Sequence, residues 1–157
     1  MATTWTDRLA ELGITLPGVV PPVASYTPAV RTGDLVYTSG QLPMVDGELT
    51  ARGKVAEGAE GVVEPDDATA AARVCALNAL AAIDALVGID SIVRVVKVVG
   101  FVASAPGFTG QPGVINGASD VLGEIFGDAG VHARSAVGVA ELPLGAPVEV
   151  ELIVEVA

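Results

Sequence analysis

The sequence predicts an α+β fold, a mixed β-sheet with two long helices packed on one of its faces. Two segments with helical periodicity each lie between segments with strand periodicity, which favours crossover connections and partly parallel strands. Short turn sequences join the remaining strands and favour antiparallel pairs. Because 51% of the 157 residues are hydrophobic, the chain can fill the core of a single domain and bury further surface between subunits.

The predicted elements follow one another with the periodicity of helices or strands. They are, in order, a helix over residues 4–12, strands over 25–31 and 35–39, a surface loop over 48–63, a helix over 68–87, a strand over 92–103, a helix over 111–126, and strands over 134–142 and 148–156. Pro28 has no amide hydrogen and places the first strand at a sheet edge. Thr3 or Thr4 is expected to cap the first helix, and Asp66 or Asp67 the second. A proline-rich linker follows the first helix, so residues 1–22 extend the single domain predicted over 1–157.

Charge and the rare residue types disfavour several classes of function. Eight Lys and Arg against nineteen Asp and Glu give a net charge of −11, which disfavours nucleic acid as a partner because phosphate contacts need clustered cations. One His and one Cys leave no His-rich metal site and no internal disulfide. A carboxylate-only metal site stays possible, but no EF-hand or similar spacing is present, so no metal is expected. The lone Cys75 lies on an apolar helix, where a core role is expected. The absence of a long uncharged apolar run and of a basic N-terminus favours a cytoplasmic protein that does not enter a membrane.

The strand that begins at Arg134 contains the clearest candidate site. Alternate side chains of a strand share a face, so Arg134 precedes a row of very small residues: Ala136, Gly138 and Ala140. Small side chains leave space beside the guanidinium, and a cation at the mouth of such a gap suits a carboxylate. The alternative is a surface ion pair between Arg134 and an Asp or Glu, which is common in so acidic a chain.

Two groups of residues resemble the signatures of a known family. Residues 35–43, Leu-Val-Tyr-Thr-Ser-Gly-Gln-Leu-Pro, are similar to the strand and turn of the YjgF family, also called the Rid (reactive intermediate deaminase) family. Residues 133–137, 142–143 and 148–151 resemble its C-terminal signature. The resemblance implies a chorismate-mutase-like fold and a homotrimer with ligand sites between subunits. It also implies hydrolysis of reactive enamines and imines, such as 2-aminoacrylate, to 2-oxo acids and ammonia without a metal or cofactor.

The resemblance also implies roles for individual residues. Arg134 matches the arginine that binds the substrate carboxylate, and Glu149 matches the glutamate that holds or activates water. The other matching positions line the cleft: Tyr26, Ser39, Gly40, Ser119 or in its place Asn116, and Ala136. The chain departs from the family where Ala136 replaces a frequent cysteine and Gly138 a frequent glutamate, so the substrate is left open.

The spacing along the last two strands suggests a site shared by two chains. If residues 134–142 and 148–156 form a hairpin, Arg134 and Glu149 lie roughly 20 Å apart, so Glu149 is expected to come from a neighbouring chain. Without the resemblance, Glu149 is interpreted as part of a solvated strand face. His132, a lone titratable group, is interpreted as structural or solvent-facing.

The sequence leaves three functions open. The first is an enzyme that hydrolyses 2-imino acids. The second is a regulatory trimer that binds small carboxylates or other metabolites without turnover. The residues that would bind a carboxylate are the same for the enzyme and for the binding protein. The third is an endoribonuclease, which the acidic charge and the scarcity of aromatic residues disfavour. A chorismate mutase would share the fold but must neutralise a dicarboxylate, and only Arg134 is well placed for that.

Overall fold

The chain folds around a five-stranded mixed sheet, which the computed structural model describes together with its helices over residues 2–157. The helices are α1 Trp5–Glu11, α2 Pro65–Val87 and α3 Gln111–Phe126, and the strands are β1 Ala29–Thr32, β2 Leu35–Thr38, β3 Met44–Val45, β4 Glu48–Leu49, β5 Ile92–Ala103, β6 Ala133–Val139 and β7 Val148–Val156. The order in the main sheet is β1-β2-β7-β5-β6, and β3 pairs with β4 in a separate hairpin. The predicted α+β architecture is confirmed.

The longest strand, β5, lies between β7 and β6, so the predicted hairpin of the last two strands is wrong. α3 carries the chain back across the sheet, and β6 therefore runs parallel to β5 with Arg134 beside Val98. β7 runs antiparallel along the other side of β5, with Leu152 beside the same Val98. A long, largely apolar strand suits a central position with two neighbours, and here it separates two strands that are adjacent in sequence.

One face of the sheet is buried under α2 and α3. Alternate residues of β7, from Val148 to Val156, are buried on this face, where they join the core residues of both helices. The two helices come into direct contact at Gly117 of α3, where an added methyl group would overlap the backbone carbonyl of Thr69 on α2. The small residues of the helices thus allow the two backbones to approach closely.

α2 is the longest helix, and it contains the single cysteine. By length and composition alone it would suit a membrane span, although 56% of its most apolar window is buried inside the protein. Cys75 is fully buried, and this burial raises the pKa of its thiol well above the ordinary value. A buried thiol of raised pKa is a poor nucleophile, which agrees with the predicted core role.

Three predicted element boundaries need correction, and one of them is that of β6, predicted over 134–142, which ends already at Val139. α2 begins at Pro65 with Glu64 as its N-cap residue, so Asp66 and Asp67 lie in the first turn and do not cap the helix. Proline is favoured at the first helical position because it has no amide hydrogen to leave unpaired. The first strand is shorter than predicted and begins only at Ala29, directly after a proline.

The predicted surface loop over residues 48–63 is only partly correct. Its first two residues form β4, which pairs with β3 around a tight turn. Val55 and Val63 are buried at 0% and 6% exposure, and Val55 also bridges to Ser104 beyond the end of β5. Isolated apolar residues have no period, and a reading based on periodicity therefore misses their burial.

The N-terminal helix α1 is attached to the domain at two points. Thr4 and Asp7 form a capping box that starts the helix. The Trp5 indole N–H donates to the Ile92 carbonyl oxygen at 2.8 Å, and its ring meets the Phe126 ring edge-on with centroids 5.0 Å apart. The extension therefore packs against the start of β5 and the end of α3.

The opposite face of the sheet carries apolar side chains that no helix covers within residues 2–157. Val30, Tyr37 and Val137 are exposed there at 52%, 43% and 46%. The strand register places Glu149 on the same face, beside Phe101 of β5. Extended exposed apolar surface of this kind is typical of a contact with another chain.

Candidate functional site

Arg134 lies near the start of the edge strand β6, and its side chain extends over α3. Its Nη1 donates to the Asn116 amide oxygen at 2.8 Å and to the Ser119 hydroxyl at 3.2 Å, and its Nη2 donates to the Pro112 carbonyl oxygen at 3.2 Å. These acceptors follow one another at spacings of four and three residues, so they form one stripe along the helix. The stripe fixes the guanidinium plane with neutral partners alone.

The charge of Arg134 has no acidic partner in the described chain. The ion pairs within residues 2–157 are Arg8–Glu11, Lys54–Glu141 and Arg73–Glu124. The surface ion pair that the sequence left open for Arg134 is therefore not formed there. A guanidinium has five N–H donors; three are used, which leaves the Nε–H and one Nη2–H. Two guanidinium donors form a fork that matches the two oxygens of a carboxylate.

His132 belongs to the same cluster, although the sequence pattern predicted only a structural or solvent-facing histidine there. Its Nε2 lies 2.9 Å from the Ser119 hydroxyl oxygen, and its Nδ1 lies 2.6 Å from the Gly130 carbonyl oxygen. β6 begins at Ala133, one residue earlier than predicted. The available signal was the spacing of two residues between His132 and Arg134, which places both side chains on one side of an extended chain.

A second group of predicted residues surrounds Glu149 on β7. Tyr26, Gly40 and Glu149 line one cavity of about 40 Å³, which the proline-rich segment 20–23 also lines. Burial raises the pKa of the Glu149 carboxyl above its ordinary value, and the nearby Glu151 carboxylate adds to the rise. A cavity of this size has room for a few water molecules.

The loop that follows β2 holds the cavity wall close to Glu149. At Gly40 a β-carbon would overlap the Glu149 carboxylate and lie 2.8 Å from its Cδ, so only glycine fits beside the side chain as placed. Gln41 exchanges two backbone hydrogen bonds with Val150, at 2.8 and 3.0 Å. The buried Asn78 amide donates to two further carbonyl oxygens of the loop, each at 3.0 Å. Asn78 is a supporting residue that sequence reasoning missed, since no pattern marks a buried amide.

Two other predicted site residues make contacts inside their own chain. The Ser39 hydroxyl donates to the Thr27 carbonyl oxygen at 2.6 Å, and Ser39 does not line the Glu149 cavity. Ala136 shares the face of Arg134, lies beside Gly100 of β5 and packs against the core. Ser39 therefore shapes the turn before Gly40, and Ala136 contributes to the packing of β6.

The structure separates the two groups by the thickness of the sheet. Arg134 is level with Val98 of β5, whereas Glu149 is level with Phe101, three positions further along the same strand. Because side chains alternate, an odd number of positions places the two on opposite faces, and the strand spacings put their Cα atoms about 14 Å apart. One chain thus has two half-sites, one cationic and one carboxylic, which do not meet within it.

Comparisons of the sequence point to one family. The family described as "Endoribonuclease L-PSP" matches residues 18–156. A relative, "Protein TCP17" from Trypanosoma cruzi, is 44% identical over 156 residues, which cover 94% of this chain and 91% of that protein.

Solved structures with the same fold support the match. The protein Atu1372 of Agrobacterium tumefaciens, whose function is described as unknown, aligns with a TM-score of 0.86 and 44% identity over 98% of this chain and 92% of that chain. Escherichia coli TdcF, solved with bound serine, aligns with a TM-score of 0.60 and 25% identity over 90% of this chain and 93% of that chain. The likeness therefore extends beyond the residues that match the family signatures.

Proposed function

The chain belongs to the endoribonuclease L-PSP family, which is the YjgF/Rid family, and on this basis we propose that it hydrolyses small 2-imino or enamino acids to 2-oxo acids and ammonia. The observation that carries the proposal is the unpaired guanidinium of Arg134, held by three neutral acceptors with two donors left free. Such a fork recognises the carboxylate that every 2-imino acid carries. The serine bound to TdcF also carries a carboxylate on the carbon beside its nitrogen.

Hydrolysis needs a base that activates water as well as a group that binds the carboxylate, and in the proposal Glu149 is this base. In the proposed reaction a water oxygen attacks the carbon of the protonated imine while the Glu149 carboxylate takes one proton of the water, which gives a neutral carbinolamine. Glu149 then returns that proton to the amine nitrogen, the C–N bond breaks, and the hydroxyl proton leaves with the ammonia as ammonium while the hydroxyl oxygen becomes the new carbonyl. The water-sized cavity beside Glu149 suits the placing of this water. The raised pKa of Glu149 makes its carboxylate a better proton acceptor than an ordinary glutamate.

The proposed site needs two copies of the chain, because the two half-sites face away from each other in one. In the proposed homotrimer, β6 at the edge of one sheet meets the outer face of the next, and Arg134 approaches Glu149 of its neighbour. The exposed apolar side chains of that outer face support the contact. Holding the substrate between the two groups lowers the barrier further by removing the cost of bringing them together.

The test is ammonia release from an enamine that a serine or threonine dehydratase generates in situ. Wild-type protein is expected to accelerate the release, and Arg134→Ala is expected to lose at least about 100-fold, since a charged hydrogen-bonding partner of the substrate is removed. Light scattering on both proteins is expected to give the same oligomer. A wild-type protein without acceleration on several amino-acid-derived imines contradicts deamination.

A binding protein without turnover is the alternative, since the Arg134 fork serves a ligand as well as a substrate. Calorimetric titration with pyruvate separates the two: binding that Arg134→Ala abolishes, without ammonia release, supports the alternative. Cleavage of RNA, which the family description suggests, is disfavoured by the net charge of −11. An incubation of the same proteins with labelled RNA checks it directly.

A further inference from the structure

The hydrogen bonds around Ser119 form a chain in which the Gly130 carbonyl sets the donor and acceptor roles of a neutral His132 imidazole. The Gly130 carbonyl can only accept, so the His132 Nδ1 at 2.6 Å from it carries a hydrogen. In a neutral imidazole the other nitrogen is then an acceptor. The Ser119 hydroxyl, 2.9 Å from Nε2, therefore donates to His132.

The same hydroxyl oxygen also faces Arg134. A guanidinium has only donors, so the Ser119 oxygen must accept from Arg134 Nη1 at 3.2 Å. A serine hydroxyl by itself rotates freely, but here its hydrogen is directed to His132, and its lone pairs are left for the guanidinium. Both His132 and Ser119 are partly buried, which shields these bonds from competing water.

We propose that His132 is a positioning residue for Arg134, acting through the hydroxyl of Ser119. By directing that hydroxyl, His132 gives Nη1 its second acceptor and so keeps the guanidinium from turning about its bonds. The free Nε–H and Nη2–H donors then face the ligand before it arrives, which reduces the ordering that binding requires. The inference rests on the proposed function, in which Arg134 binds a carboxylate.

Three variants at two positions separate this role from simple support of the fold. His132→Phe keeps a ring of similar size but removes both nitrogens. His132→Gln keeps an oxygen that reaches the place of Nε2 and accepts from Ser119. Ser119→Ala removes the hydroxyl through which His132 acts, and combining it with His132→Phe completes a double-mutant cycle.

Calorimetric titration with pyruvate, the 2-oxo acid expected from 2-aminoacrylate, measures the effect on binding. His132→Phe and Ser119→Ala are each expected to weaken affinity about 3- to 10-fold, the range of one hydrogen bond. His132→Gln is expected to stay within about twofold of wild type, and the double variant within about twofold of Ser119→Ala. In the deaminase assay the same variants are expected to raise KM more than they lower kcat.

Three results would each overturn the inference. The losses of affinity could add in the double variant, His132→Gln could bind pyruvate as weakly as His132→Phe, or His132→Phe could bind it as tightly as wild type. If His132→Phe does not fold, the cycle is run with His132→Gln and His132→Asn, whose shorter amide does not reach Ser119. Loss of binding in Arg134→Ala with no effect at His132 refutes the positioning role alone.

A measurement without ligand keeps the inference testable if pyruvate does not bind. Side-chain ¹⁵N NMR follows rotation of the Arg134 guanidinium directly. Separate, slowly exchanging Nη signals are expected in wild type and in His132→Gln, and averaged signals in His132→Phe and Ser119→Ala. Nη signals that are averaged equally in all four proteins contradict the positioning role. A wild-type protein that shows a fixed Arg134 guanidinium but does not bind pyruvate contradicts only the proposed function.

Discussion

Replacing Gly40 by alanine tests the role of Glu149 without changing its chemistry. The added Cβ would overlap the carboxylate and lie 2.8 and 3.0 Å from Cδ and Cγ of Glu149. Carbon atoms prefer a separation of about 3.5–4.0 Å, so the carboxylate has to move by about 1 Å. A misplacement of that size costs about 100-fold in rate when a reacting group must be positioned. We therefore expect Gly40→Ala to lower the rate of ammonia release by about 100-fold.

The same substitution is expected to leave the fold nearly unchanged in stability. Gly40 does not require a positive φ, so alanine fits its backbone. Alanine restricts the unfolded chain, which stabilises the protein by about 0.4–1 kcal/mol, and moving the end of a flexible glutamate offsets a similar amount. Denaturant unfolding is thus expected to give a free energy within about 1 kcal/mol of wild type. A lower rate with an unchanged free energy of unfolding therefore indicates a displaced carboxylate and not a damaged fold.

Gly123→Ala is the matched control, because a Cβ there meets nothing within 4 Å and the residue lies inside a helix. Its rate is expected to stay within about twofold of wild type. Combining Gly40→Ala with Glu149→Gln is expected to add no further loss, since both changes act on one carboxylate. A folded Gly40→Ala protein that releases ammonia at more than half the wild-type rate would refute the assigned position of the base.

Two further predictions concern the base and the helix contact. The deaminase rate is expected to rise with pH as Glu149 loses its proton, and because burial and Glu151 raise this pKa, the midpoint lies above the ordinary glutamate value; a rise that persists in Glu149→Gln contradicts the assignment. Gly117→Ala is expected to lower the free energy of unfolding by about 1–3 kcal/mol, because its methyl group overlaps the Thr69 carbonyl in the α2–α3 contact; denaturant unfolding measures it, and an unchanged midpoint disagrees with that contact.

The elements were predictable where local chemistry marks their ends. α3 spans the predicted residues because Pro112 suits its first turn and Gly127 ends it with a positive φ. β7 also matches, since its alternation of apolar and acidic residues records one buried and one open face. Such signals are local, so they can be recognised in the sequence without knowledge of the fold.

Pairing between strands was not predictable in the same way. Proximity in sequence suggested that β6 and β7 are neighbours, but β5 forms hydrogen bonds with both. Which strand takes the centre depends on how well whole strands pack on the helices, and this is a non-local property. The prediction that Arg134 and Glu149 do not meet within a chain agrees with the structure for a different reason, opposite faces of the sheet and not the length of a hairpin.

The residues of the candidate site were likewise predictable where a local pattern marks them, and not where a non-local contact does. Arg134 and Asn116 were found through a small-residue strand and a family resemblance, whereas His132 was interpreted as structural or solvent-facing although it lies two residues before Arg134. Its role became visible only when the turn before β6 brought it 2.9 Å from Ser119. Supporting residues of this kind act through one specific contact, and a sequence does not record contacts.

The separation of the two half-sites also limits how copies of the chain can assemble around them. Arg134 lies by the free edge of β6, whereas Glu149 lies on the open sheet face beside Phe101. A contact that joins an edge to a face uses two different surfaces of each chain, and it is heterologous when these two surfaces meet two different neighbours. Heterologous contacts can close into a ring, and only in a complete ring do all copies use both contact surfaces. The proposed trimer satisfies this requirement with three equivalent sites, whereas a two-fold dimer would have to place both contacts, edge on face and face on edge, in a single interface and would then form two equivalent sites.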